Sequence, residues 1–359
     1  MTIRARRPAP NWHVILAVFW VTQLVESLGV SQVFALLPTY LRELGVSETD
    51  RLPFIGLFGS LVFVLGLPLV PLWGVWADKY SRKVVIVRSC LVEVVVFGLA
   101  ALAREPWQMA VAVLLIGFQL GNTGVMLAGI RDVVPRHRVG TSIALFGAAG
   151  PVGFAVGPVL AAVLIDGAGW SVSGVFALSA VFSIGTALLV SLGTHEVRPE
   201  VIPVGPVLRL AFGAVRGVLG DRDVRRLFVV YGVVFLANQV SRPYTPVLVE
   251  GLVGTGVGLA SAIGLVMGVA SLVGALASPA AGWAGDPDRA QQQARGQGRQ
   301  DPDCVDAHRR EPPGSGRALP AGVVRGSGTR PVAEVHGYQP QGDLVLSDLA
   351  VLLGGDPGR

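Results

Sequence analysis

Charge is scarce in this chain: of 359 residues only 15% are Asp, Glu, Lys or Arg, while 52% are hydrophobic. A soluble domain of this length is rarely so poor in charge, and the mean hydropathy is positive. Cysteine is nearly absent. Cys90 and Cys304 are the only two, so neither a disulfide framework nor a metal site can be argued from them. No nucleophile–base pair, metal-ligand spacing or phosphate-binding loop is found, so neither an enzyme nor a cofactor is expected. The pI near 9.7 does not point to nucleic acid, because no basic stretch is interleaved with stacking aromatics.

What the chain does have is long apolar runs. Stretches of about 20 residues, enough to cross a hydrocarbon core, fall at roughly 13–36, 53–75, 84–103, 107–129, 141–165, 170–192, 227–249 and 257–280. None alternates with period two, so strands are excluded. Inside a bilayer each segment must satisfy its own backbone, which leaves helices. The fold class is therefore all-α and polytopic, and the lipid bilayer is the first partner. The first run is too long for a signal peptide and ends without a small-residue cleavage pattern. Basic residues collect in the N-terminal arm (Arg4, Arg6, Arg7), the 2–3 loop, the 4–5 loop (Arg131, Arg136, Arg138) and the 6–7 connection. The positive-inside rule then predicts a multi-pass plasma-membrane protein with a cytoplasmic N-terminus.

Between the second and third runs stands Gly74-Val75-Trp76-Ala77-Asp78-Lys79-Tyr80-Ser81-Arg82-Lys83. The chain begins to repeat it 208 residues later as Gly282-Trp283-Ala284-Gly285-Asp286, without the basic residues. The same offset aligns Pro38 with Pro246 and suggests duplicated six-helix halves. The first copy resembles the 2–3 loop of major facilitator superfamily transporters, G-x-x-x-D-[RK]-x-G-R-[RK], with Gly74, Asp78, Lys79, Arg82 and Lys83 in place and Ser81 where the family has glycine. Gly153, Gly157 and Pro158 in the fifth run resemble the family's antiporter motif, G-x-x-x-G-P-x-x-G, with Ala161 at the last glycine. With Gly147 and Gly150 they also fit plain small-residue packing. The arginine that the family often carries in its fourth helix is missing, because Gly117 stands there.

The organisation read from these features is an N-terminal arm (1–12), a six-helix half (13–193), a cytoplasmic linker (194–226) with an amphipathic stretch at Val207–Leu219, and helices 7 and 8 of an incomplete second half (227–286). Residues 287–359 contain no Phe, Ile, Met or Trp. Such a segment is expected to be either a disordered tail or the product of a shifted reading frame. The resemblance implies that Asp78 gates against the eleventh spanning helix, which this chain lacks, so Asp78 is expected to stand without its gate partner.

Few polar groups lie inside the runs. Glu26 is costly in lipid, so it should face the bundle interior, where a cavity that alternately wets and dries lets it take up and release a proton. Gln23 shares its face. Glu93 is read either as the structural partner of Arg88 or as part of the transport chemistry. Arg242 either attracts an anionic solute, pairs with an acid, or snorkels to the interface. Gln119, Asn122, Asn238 and Gln239 line a cavity between the halves or bond between helices.

The resemblance implies secondary transport, most simply proton-linked efflux of a drug-like or metabolic solute, with that solute and protons as partners. Uptake by symport is the alternative of the same class. A transport-dead remnant or scaffold, inactive as written, is the alternative of a different class. If the tail is a frame product, another frame of the gene encodes basic residues just after Asp286 and then four apolar runs of about 20 residues. Reading the downstream DNA in all three frames checks this, and the absence of such runs would make the tail a genuine terminus.

Overall fold

The structure is a computed structural model and describes residues 11–196, 202–255 and 258–284. The N-terminal arm, the 287–359 tail and Gly285-Asp286 of the second loop copy lie outside these residues. All regular elements among the described residues are helical. Eight stretches of the described residues are long and apolar enough to cross a membrane: Trp12–Glu43, Glu48–Lys79, Arg82–Leu102, Pro106–Val133, Arg136–Gly167, Val172–Gly193, Val224–Val253 and Leu259–Ala277. They fall on the eight apolar runs. The first outlasts its run because Pro38 is tolerated within it, as prolines often are in membrane helices. The chain divides into two units, Met1–Pro279 and Ala280–Arg359, and the bundle is the first.

Helices α1 (Trp12–Glu43), α2 (Glu48–Lys79) and α3 (Arg82–Leu102) are continuous. The fourth span is not. It consists of α4 (Pro106–Ile116), a 3-10 turn at Gly117–Gln119 and α5 (Asn122–Val133), with Gly121 at φ +94° between the turn and α5. That backbone conformation suits glycine. The fifth span is α6 (Val139–Ala162) with a π turn at Val163–Gly167, and α7 (Val172–Gly193) is the sixth. A linker helix, α8 (Val207–Gly220), covers the stretch read as amphipathic. The seventh span is again broken, into α9 (Arg222–Ser241), a turn at Arg242–Tyr244 and α10 (Thr245–Val253), and α11 (Leu259–Ala284) follows.

Helix starts are set by local chemistry. Ser47, Ser81 and Ser171 each accept a bond from the backbone N–H three residues on. This satisfies one of the N–H groups that a helix start leaves unpaired. Ser81 thus has a local function that the family's usual glycine lacks, as the N-cap of α3.

Two apolar cores lie at different heights along the bundle. One gathers Leu37, Tyr40, Phe58, Phe97, Met109 and Phe176. The other gathers Ile15, Phe19, Ile86, Met126, Phe146 and Val190. Along α1, α3 and α7, buried polar residues lie at or next to the gap between the two cores: Gln23, Ser27, Ser31 and Gln32, then Ser89 and Glu93, then Ser179 and Ser183. A polar layer therefore crosses the middle of the bundle, and it is the place where a site can be built.

The glycines of α6 bring this layer together. A Cβ on Gly153 would overlap the Leu24 carbonyl and Ser27, and one on Gly157 would overlap Ser31 and the Leu28 carbonyl. So α6 lies against the α1 backbone, as small-residue stripes permit. The four-glycine face is narrower than its spacing predicts. Gly150 makes only ordinary contact with Ser27, and Gly147 meets nothing within 4 Å. Gly157→Val is therefore expected to destabilise the bundle by about 1–3 kcal/mol through overpacking. Gly147→Ala should leave it unchanged or firmer, since alanine is the better helix former by ~1 kcal/mol. Unfolding midpoints of the two variants in detergent check this, and equal losses would refute the difference in packing.

Candidate functional site

The polar layer is a chain of hydrogen bonds between helices. Asn122 Nδ2 donates to Glu26 Oε2 at 2.9 Å, and Thr123 Oγ1 donates to Gln23 Oε1 at 2.8 Å. Gln23 in turn donates to Ser27 at 3.1 Å. Further along α1, Gln32 accepts from Ser179 at 2.5 Å and donates to the Gly157 carbonyl at 3.2 Å. Glu93, 2% exposed, accepts from Ser183 Oγ at 3.1 Å. Without water to bond, each of these groups depends on a neighbouring helix. Glu26 is only partly buried and Thr123 is exposed, whereas the others are buried.

Gln23, Glu26, Gln119 and Asn122 are thus brought together, since Gln119 and Arg88 also act on the Glu26 carboxylate. Asn238 is not among them: it lies exposed on α9, and Gln239 beside it is only partly covered. Arg242 is also elsewhere, with its guanidinium 4.4 Å from the Phe154 ring centroid, a cation–π contact with α6. The expected Glu93–Arg88 pair does not form. Five positions apart, the two residues leave their helix on different faces, whereas pairs form three or four apart. Arg88 instead lies 3.6 Å over the Trp73 ring and donates to Ser89 at 2.7 Å. Trp73 and the serines of α7 escaped the sequence reading. The four-residue step from Ser179 to Ser183 is the signal that would have found the last of these.

At one end of the bundle the loop motif forms its own network. Arg82, 5% exposed, donates to Asp78 at 2.8 Å and to Asp132 at 2.5 Å, joining α2, α3 and α5. Asp78 is therefore not without a partner, because Arg82, at the start of α3, lies within its reach. Lys83 donates to the Ser191 and Thr194 carbonyls at 2.6 and 2.7 Å, where a helix C-terminus favours positive charge. Lys79 donates to the Gly205 carbonyl of the linker at 2.5 Å.

At the other end is a cluster that sequence reasoning missed. Glu250 on α10 is paired with both Arg42 of α1 and Arg51 of α2, the latter at 3.1 Å, and Arg51 also holds Glu48 at 2.8 Å. The Glu250 and Arg51 side chains are only 8% and 9% exposed. Arg42 and Glu250 stand 208 residues apart, the offset that relates the two loop copies. The pair therefore joins equivalent positions of the two repeats. That periodicity was the available signal.

The residues from 19 to 293 match the model of the Major Facilitator Superfamily. The chain belongs to this superfamily. Among curated proteins it is 28% identical to the multidrug resistance protein MdtG of Enterobacter lignolyticus, over 77% of this chain and 65% of that protein. It is also 28% identical to MdtG of Salmonella typhi, over 77% and 68%. The chain thus spans about two thirds of the length of these relatives. Among solved structures the human organic anion transporter MFSD10 aligns with TM-score 0.58 and 20% identity, over 74% of this chain and 71% of that one. A bacterial homologue of the human lysosomal transporter Spinster aligns with TM-score 0.56 and 17% identity, over 77% and 63%. These structural likenesses show the superfamily fold.

The Glu250 cluster gives a test of what holds α10 to the first two helices. Removing one partner of a buried ion pair costs about 3–5 kcal/mol, so Glu250→Gln is expected to loosen this end. Ala35, buried beside Val249 and Ile263, reports on it. Carried as Ala35→Cys in a background without Cys90 and Cys304, it should be labelled several-fold faster by a membrane-impermeant maleimide once Glu250 is Gln. Unchanged labelling would show that the ion cluster does not close this end.

Proposed function

We propose that this protein is a secondary transporter that moves a small drug-like or metabolic solute out of the cell in exchange for protons. The observation that carries the reading is Glu26. This carboxylate sits in a polar layer between two apolar cores, bonded by Asn122, on a residue that is only partly buried. A carboxylate in the membrane interior that can be reached from water is suited to binding and releasing a proton as its surroundings change. The superfamily membership and the multidrug resistance name of the relatives support a solute of this class.

Alternating access follows from two ends of different character. We place the Arg82 network and the N-terminus on the cytoplasmic side, because the basic loops lie there. The Glu250 cluster then closes the outer side. Along the seventh span the two ends differ in burial. In α10, Pro246, Val249 and Glu250 are buried, whereas Phe228, Tyr231 and Phe235 of α9 are exposed. The Arg242–Tyr244 turn separates the two stretches and is the natural pivot. Gly153 and Gly157 keep α6 against α1, and Pro158 lies against Gly264 of α11. In this reading the gate-motif residues Gly74, Asp78, Lys79, Arg82 and Lys83 brace the inner side.

Proteoliposomes under an imposed proton gradient test the proposal. Glu26→Gln keeps the shape of the carboxyl but cannot cycle a proton. The variant is expected to lose gradient-driven flux while still exchanging a neutral solute at equal pH. Flux driven inward with the proton would make the protein a symporter. Flux unaffected by Glu26→Gln would move coupling elsewhere, and no flux above empty liposomes would favour the scaffold reading.

A further inference from the structure

The linker helix α8 carries an apolar surface that none of the described residues covers. It has 14 residues, too few to cross a hydrocarbon core, which takes about 20. It packs against α2 and α9, with Ala211 buried and Val207 and Leu210 partly covered. A second apolar row stays outside. Leu208, Phe212, Val215 and Leu219 recur at steps of four, three and four, so they share one face. All four are exposed, Leu208 and Phe212 at 61% each.

Two charges edge this row. Arg209 and Arg216 are both exposed, neither pairs with an acid among the described residues, and α8 itself contains no Asp or Glu. At about 100° per residue they stand roughly 80° round from the row, on the side away from Ala211. An apolar row edged by arginines suits a helix lying in the headgroup region, its hydrocarbon side chains among the acyl chains and its guanidinium groups at the phosphates. The end of α2 sets the height. Trp76 and Tyr80 pack there with ring centroids 5.7 Å apart and are about half exposed, as aromatic residues are where a span meets the interface. Lys79, between them in sequence, donates to the carbonyl of Gly205, which directly precedes the N-cap of α8. So α8 starts where α2 leaves the hydrocarbon, and a soluble partner would have to displace lipid to reach the apolar row.

We infer that α8 is a docking surface for anionic phospholipid, with the Leu208–Leu219 row among the acyl chains and Arg209 and Arg216 on the lipid phosphates. The planar guanidinium pairs with phosphate oxygens through two N–H groups at once. Each basic residue near an anionic bilayer favours the docked state by about fivefold. The next helix begins at Arg222, two residues after α8 ends, so lipid held at α8 also sets where the seventh span enters the membrane.

The test uses the full chain without Cys90 and Cys304, spin-labelled on the row at Val215→Cys or, as a control off the row, at Gly213→Cys, where a side chain meets nothing within 4 Å. Each is placed in nanodiscs of phosphatidylcholine alone or of an equal mixture with phosphatidylglycerol. Power saturation compares collisions with oxygen, which collects among acyl chains, and with a neutral nickel chelate, which stays in water. The oxygen-to-nickel ratio at position 215 is expected to be about threefold or more higher in the anionic mixture, with the ratio at 213 low in both. Arg209→Gln with Arg216→Gln should abolish the lipid difference, and Arg209→Lys with Arg216→Lys should keep most of it, because the charge remains. Both arginines are exposed, so an unchanged spectrum at 213 shows that the double variants are folded. A label at 215 that meets water in the anionic mixture would overturn the inference. So would equal depth in the two lipids, which means apolar burial without headgroup recognition, or a lipid difference that survives loss of both arginines. Each outcome is read without any solute and so stands apart from the transport reading.

Discussion

Hydrocarbon offers no hydrogen-bond partner, and this one constraint explains most of the bundle. Helix α1 carries Thr22, Gln23, Ser27, Ser31 and Gln32 in its middle third, all buried. Such a helix cannot face lipid. It must be enclosed, and α5, α6 and α7 enclose it through Asn122 and Thr123, Gly157, and Ser179. Close approach of α6 needs glycine, because the polar groups of α1 are short and reach only a backbone that lies against them. The same residues thus set both the packing and the polar layer.

The breaks in the fourth and seventh spans follow from the same constraint. A broken helix frees backbone groups that lipid cannot satisfy, so breaks occur where protein or a cavity surrounds them. The fourth span breaks where Gly117 lies against the Val62 carbonyl and the Gly66 backbone nitrogen of α2. The seventh breaks where Arg242 covers Phe154 and where the Tyr244 side chain closes on Gly56. In each case glycine or proline permits the break and a neighbouring helix shields it.

The eight spans were legible because length and hydropathy alone decide what crosses a bilayer. Their breaks were not, since the runs at 107–129 and 227–249 stay apolar through Gly117–Gly121 and up to Arg242. Hydropathy records composition, whereas a break depends on what a neighbour can shield. The polar residues of the site followed a similar division. Glu26, Gln23, Gln119 and Asn122 stand out in an apolar background and do converge. Asn238 stands out equally and does not, because its position depends on which face α9 turns, and α9 buries no described side chain. Arg88 and Glu93 lie on one helix, yet spacing assigns them to different neighbours. Arg42, Arg51 and Glu250 lie outside the apolar runs, and only the 208-residue repeat connects two of them.

That repeat bears on how the two ends of the molecule communicate. When two copies of one motif pack around a common axis, equivalent positions near the axis meet each other. Opposite charges at Arg42 and Glu250 use this meeting point, while the aromatic residues of α9, at the far end of the same span, face outward. The polar layer with Glu26 lies between the two levels, on the helix that carries Arg42. A shift of α10 away from α1 would uncover the ends of α1 and α2 that carry Arg42 and Arg51. Under the proposed function, proton occupancy at Glu26 and closure at Glu250 would be linked through a single element, α1, with no chain of intermediate residues required.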